Sequence, residues 1–219
     1  MITIHHLLVS QSERVIWLME ELGLAYELKS YPRNPQTRLA DPVFLQLHPL
    51  GAAPVIQDGD VTLAESSAIF TYILELYGNG KLRIAPGQPG YADYIYWFQY
   101  ANAGLMPQAS QNMIVSRLLD DKGPGAASML KERYGRHLGM INNRLANNSY
   151  IVGEDFTAAD ILLQFPFGTM SAFFPTDISA YPHIRSWLDR ISARPAYQKA
   201  MKLAGHERDP AQPKVANTQ

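Results

Sequence analysis

The chain has no cysteine among its 219 residues. That absence excludes disulfides, thiolate metal sites and any cysteine nucleophile of its own. It also lacks a surplus of one charge, since 19 Lys and Arg stand against 20 Asp and Glu and the pI is near 6.6. Basic residues scattered at this balance build no field for collecting phosphates, so nucleic acid is not an expected partner. No apolar run reaches the roughly 18 residues that a membrane span needs, and the N-terminus has no basic start leading into an apolar core. A cytoplasmic protein without membrane contact is therefore expected. His5 and His6, adjacent in a strand-like run, point to opposite faces, and His48, His137 and His183 show no ligand spacing. No metal site is expected from them. Internal repeats at solenoid periods and low-complexity tracts are missing too.

What is present is a 47% hydrophobic fraction, enough for a substantial core in one or two domains. The most informative stretch runs from His48 to Tyr77. Two short apolar runs, Pro54 to Gln57 and Val61 to Ala64, flank Asp58-Gly59, which predicts a β-hairpin with positive φ at the turn. Glu65-Ser66-Ser67 then offers capping groups, and Ala68, Ile69, Tyr72, Ile73 and Leu76 recur at helical spacing. Pro54 has no N–H for a sheet ladder, and a cis Ala53-Pro54 bond is one economical solution. The backbone of Ala53 would then face outward, able to pair with a short extended peptide. Beside it, the Ser66 helix start offers N–H groups to a carboxylate, and Glu65 can accept from an ammonium. Together these groups suit a peptide-like zwitterion.

In chain order, Ile2 to Leu8 reads as a buried strand and Val9 to Ser12 as a turn. The next helix carries Val15, Ile16, Leu18, Met19 and Leu22 on one face, with Glu20-Glu21 toward solvent and Gly23 at its end. Ala25 to Tyr31 makes a second strand and so a βαβ unit. A short helix is expected around Val43 to Leu47. The Gly- and Pro-rich run from Gly78 to Gly90 reads as a linker, and everything after it as helical. Tyr91 to about Asp121 predicts a long helix bent near Pro107, and Ala126 to Asn147 a second, joined by a turn at 122–125. Thr157 to Asp160 matches a capping box. Pro182 suits the first turn of a helix with Ile184, Trp187, Leu188 and Ile191 inward, Pro195 begins a short last helix, and the chain from His206 reads as a polar, frayed tail.

The segments HHLLVSQSERVIWLMEELGLAYEL, HPLGAAPVI, LAESSAI, FTAADI and YPHIRSWLDRISARPAYQKA resemble the cytosolic glutathione transferase family, in family order and over nearly the whole chain. The resemblance is to its serine-type bacterial and fungal members. It implies α/β plus all-α architecture: a thioredoxin-like glutathione-binding domain over 1–80, an all-helical domain over 90–205 and a polar tail over 206–219. It also implies a homodimer with glutathione as co-substrate, no metal, and conjugation to small hydrophobic electrophiles with peroxidase activity possible alongside. A non-catalytic glutathione-binding or scaffolding protein of the same fold is the alternative.

Carried over residue by residue, the resemblance sets Ser10 at the catalytic hydroxyl after the first strand. Ala53 and Pro54 face the cysteinyl backbone of glutathione, while Glu65 and Ser66 hold its γ-glutamyl end. The reaction needs a thiolate, and an ordinary thiol with pKa near ~8.5 is mostly protonated at neutral pH. A serine cannot act as the base, but its hydroxyl and the following helix dipole favour the anion. The residues alone also allow Ser10 to be a cap, because Ser10-Gln-Ser-Glu13 is a capping-box pattern. Ser12 is the runner-up for the thiolate contact, with helix capping its other role. Met106, Met113, Phe167 and Phe174 are candidates for an apolar substrate pocket. Ala52 departs from the family pattern, where many members place a cation for the glycyl carboxylate. His48, Arg33 and Arg38 are the candidate substitutes, with His48 closest in sequence.

Overall fold

The computed structural model describes residues 1–37, 39–40, 42–118 and 125–206, and divides into two compact units. The first contains Met1–Arg83 together with the chain from Ser192 onward, and the second contains Ile84–Ile191. In the first unit the order is β1 (Ile2–Leu7), α1 (Glu13–Leu22), β2 (Tyr26–Tyr31), α2 (Val43–Leu47), β3 (Val55–Asp58), β4 (Val61–Ala64) and α3 (Ser66–Leu76). The sheet runs β2-β1-β3-β4, with β1 parallel to β2 and both other pairings antiparallel. This is the thioredoxin-like layer that the resemblance implies. Strand β1 sits inside the sheet and is buried along almost its whole length, whereas the edge strand β2 is only partly buried.

The hairpin forms with its register one residue away from expectation. Asp58 pairs with Val61, so the turn is Gly59-Asp60, and only Gly59 takes a positive φ, at 57°. Asp58 stays in the strand, where Tyr72 Oη donates to its carboxylate at 3.1 Å. The Ala53-Pro54 bond is cis, as anticipated, and Pro54 lies just before β3. Helix α1 ends at Gly23 in the left-handed region, φ 69°, with the Gly23 and Leu24 N–H groups donating to Glu20 and Met19 carbonyls.

Two expectations about this unit are corrected. Glu20 and Glu21 do not face solvent, because α10 (Pro195–Leu203) returns and packs on α1. Arg194 grips Glu21 through two hydrogen bonds of 2.6 and 2.7 Å, and Lys199 reaches Glu20 at 2.7 Å. Such bidentate pairs supply the cations that a covered carboxylate requires. Nor does the chain fray at His206, since its Nε2 lies 2.8 Å from Glu13 Oε2 in a fully buried carboxylate. The helical domain expected over 90–205 thus gives up its last segment to the first unit. The rest of the expected tail, 207–219, lies outside the described residues, as does most of the turn expected at 122–125.

The second unit is helical: α4 (Tyr91–Tyr100), α5 (Met106–Leu118), α6 (Ala126–Leu145), α7 (Ala158–Gln164), α8 (Thr169–Phe173) and α9 (Pro182–Ser192). Between α4 and α5 the chain does not simply bend but widens into a π-helical turn over Ala101–Leu105, where Met106 N–H reaches back to the Ala101 carbonyl. A wider turn just before Pro107 suits a residue with no N–H to give and a ring that crowds the preceding turn. The capping pattern at Thr157 has a second use. Asp160 accepts from Thr157 N–H at 3.0 Å, and also from Ile151 N–H and Trp187 Nε1–H, both at 2.9 Å. Burial raises the pKa of this carboxyl, and the three donors oppose that shift.

Candidate functional site

The loop after β1 is held in an unusual conformation. Val9 has φ 57°, a region that β-branched residues avoid at a cost of about 1–3 kcal/mol. Arg33 braces it from both sides, its guanidinium donating to the Leu8 and Val9 carbonyls at 2.8 Å each. Arg33 is therefore a loop brace, and its role as a substitute for the missing cation at Ala52 is withdrawn. Arg38 lies outside the described residues.

The brace sets down two serines. Ser10 is 7% exposed and Ser12 fully buried. Their Oγ atoms lie 2.7 Å apart, and Ser12 Oγ is also 2.7 Å from His6 Nδ1 and 3.4 Å from the Leu7 carbonyl. Ser10 Oγ accepts from Ser12 N–H at 3.2 Å. Glu13 N–H donates to the Ser10 carbonyl at 3.2 Å, and the Glu13 carboxylate is bound to His206. Ser12, formally the residue that starts α1, makes no side-chain cap.

A cavity of about 160 Å³ collects His48, Ala53, Pro54, Glu65 and Ser66, together with Ala52 and Gln11. Glu65 is exposed and itself takes φ 69°, so strained residues stand at the start of α3 as well as after β1. His48 Nδ1 accepts from Leu50 N–H at 3.4 Å, which in the neutral ring leaves the proton on Nε2 as a donor. Ser66 Oγ accepts from Arg14 at 2.9 Å, so its own O–H remains available to donate. Ser10 is not part of the cavity lining, but its neighbour Gln11 is.

Arg14 is the residue that sequence reasoning missed. It is fully buried, and besides Ser66 it binds the Gln11 side-chain carbonyl. Burial lowers its pKa to about 10, so it remains a cation at neutral pH and ties the loop of Gln11 to the start of α3. An arginine opening the otherwise apolar run Val15 to Met19 was the available signal.

The pocket candidates separate. Phe167 packs edge-on against Trp187 with ring centroids 6.0 Å apart, and Met106 is likewise buried in the helical unit; both are core residues. Met113 and Phe174 do line a cavity of about 280 Å³ in that unit, with Met170 and Phe173. Among the described residues no group of three or more His, Asp or Glu could hold a metal ion, and no helix is long and apolar enough to cross a membrane.

Comparison with known proteins gives this geometry a family. The model for the glutathione S-transferase N-terminal domain matches residues 4–81, and that for the C-terminal domain matches residues 105–195. Glutathione S-transferase 3 of Schizosaccharomyces pombe is 34% identical over 214 residues, covering 90% of this chain and 85% of the relative. Glutathione S-transferase 3 of Zea mays is 32% identical, covering 86% and 87%. The crystal structure of a glutathione S-transferase from Actinobacillus pleuropneumoniae superposes with a TM-score of 0.84 at 35% identity, covering 93% of each chain. A family member from Pseudomonas fluorescens, crystallised with two glutathione bound, gives 0.78 at 25% identity, covering 91% and 92%. With both domain models matched and relatives above 30% identity along most of its length, the chain belongs to the glutathione S-transferase family.

Proposed function

We propose that the protein joins the thiolate of glutathione to small hydrophobic electrophiles, that it acts as a two-fold homodimer, and that peroxide reduction is a side activity. One observation carries the reading: groups complementary to a zwitterionic tripeptide surround a single cavity beside the braced serine loop. Glu65 takes the γ-glutamyl ammonium, and the α3 start with Ser66 takes the neighbouring carboxylate. The Ala53 backbone pairs with the cysteinyl amide in the manner of strand addition. His48 donates Nε2–H to the glycyl carboxylate. Ser10 donates to sulfur; it is preferred over Ser12 because Ser12 is fully buried with His6, Ser10 and the Leu7 carbonyl around its hydroxyl. The thiolate then forms a C–S bond with the electrophile. Met113, beside Phe174, remains the candidate apolar contact. The names of the fission yeast and maize relatives, and the glutathione in the Pseudomonas structure, support the reading.

Ser10→Ala tests it. A hydrogen bond to an anion contributes about 1.5–3 kcal/mol, so the variant should raise the pKa of the bound thiol by about 1–2 units and lower turnover at neutral pH tenfold or more. An unchanged thiol pKa, read from thiolate absorbance against pH, sinks the assignment of Ser10.

A further inference from the structure

The direction of each hydrogen bond in the serine pair can be worked out from its buried end. His6 Nε2 lies 3.0 Å from the carbonyl of Ala204, which accepts only. Nε2 must therefore carry a hydrogen. Burial lowers the pKa of His6, so the resting ring is neutral and its Nδ1 is a bare acceptor. The Ser12 O–H then donates to Nδ1 at 2.7 Å in preference to the Leu7 carbonyl at 3.4 Å. Ser12 Oγ in turn takes the hydrogen of Ser10 across the 2.7 Å contact. A hydroxyl has one donor and two lone pairs. In Ser10 the donor is turned inward and one lone pair receives Ser12 N–H, leaving one lone pair outward. At rest, Ser10 is thus set to receive a hydrogen from a thiol and not to give one to a thiolate.

We infer that His6 is the terminus of a proton relay: the thiol proton of bound glutathione moves to Ser10, the Ser10 hydrogen to Ser12, and the Ser12 hydrogen to His6 Nδ1. The S–H bond breaks and an Nδ1–H bond forms, both serines end as neutral hydroxyls, and the neutral thiol and imidazole become thiolate and imidazolium. Every bond in the chain has reversed, so Ser10 now donates to sulfur. Without that reversal, a Ser10 turned toward the thiolate would leave two oxygen lone pairs facing each other across 2.7 Å. His6 touches no substrate and is a positioning residue, acting through Ser12. Of the charged groups around its ring, Glu13 on α1 favours the imidazolium, while His206 and Arg33 oppose it. The new thiolate adds a second favourable charge, which couples the two ionisations.

The inference rests on the reading of Ser10 as the hydroxyl that meets the thiol, and the test separates the two. Nitrogen NMR of histidine-labelled full-length protein at neutral pH should show His6 gaining a hydrogen at Nδ1 when glutathione is added. S-methylglutathione, which has no thiol proton, should leave the ring neutral. His6→Asn keeps an acceptor near Nδ1 but cannot hold the proton, and should raise the bound thiol pKa by about one unit, a tenfold loss of thiolate. Ser12→Ala cuts the chain while keeping the imidazole itself and should do the same, with Ser12→Thr restoring the parent value; this pair decides the matter should His6→Asn fail to fold. A ring that stays neutral with glutathione, or a thiol pKa unmoved by Ser12→Ala, overturns the relay. If Ser10→Ala still raises the thiol pKa in that case, the Ser10 reading stands and only the relay falls; if Ser10→Ala has no effect, both fall.

Discussion

At the scale of single residues, the proposed binding of glutathione turns first on Ala52. It stands in the wall of the cavity with no charge to offer, while His48 in the same wall presents an Nε2 donor. With His48 as the donor to the glycyl carboxylate, His48→Ala should weaken glutathione binding roughly tenfold to a hundredfold, and Ala52→Lys should change it little. Titration calorimetry decides; two variants that both match the parent would remove His48 from the site. At this scale the cavity-lining residues that the sequence singles out are those carried by contiguous motifs, such as Ala53, Pro54, Glu65 and Ser66. Arg14 and His6 were not legible as parts of the site, because their partners Ser66 and Ala204 lie 52 and 198 residues away. The period-two alternation expected at His5 and His6 is seen in their partners, since His6 turns toward Ser12 while His5 meets Tyr31 and Gln57.

Among the elements, α1 was read correctly in extent and incorrectly in exposure. Its apolar stripe is evident from spacing, but the cations that cover Glu20 and Glu21 come from Arg194 and Lys199, and no local pattern announces them. Helix α7 was legible by contrast, since Thr157 and Asp160 lie three residues apart and the cap is a local interaction. The C-terminal return has a pH signature. Burial alone would lower the pKa of His206, but its hydrogen bond to Glu13 and the Glu13 charge outweigh that and the net shift is upward from 6.5. A raised folded pKa means that the folded state holds the proton more tightly. The contribution is complete below about pH 6.5 and fades as pH rises through the folded value. Thermal denaturation from about pH 6 to about pH 9 should therefore show the parent losing stability, while His206→Gln, which keeps a donor but does not titrate, should give a flatter profile. Equal slopes would show that the pair contributes nothing through titration.

For the whole molecule, the sequence order of an α/β unit followed by helices was plain from the change of period after Gly80 and the Gly- and Pro-rich run. Assembly is the property best tested at this scale. Helix α4 leaves Ile95 and Tyr96 substantially exposed, at 39% and 50%, and the homodimer reading gives such a face a partner. Light scattering at micromolar concentration should find twice the 24.5 kDa chain mass, and a particle of one chain mass would count against it. Because the first unit is completed by the chain from Ser192 onward, it cannot be finished when its own strands leave the ribosome. At about 5–20 residues per second, synthesis from residue 83 to residue 206 takes roughly 6–25 s. During that interval Glu13 waits for His206, Glu20 and Glu21 wait for Lys199 and Arg194, and His6 waits for the carbonyl that fixes its tautomer. The serine loop is made long before the contact that sets its hydrogen bonds.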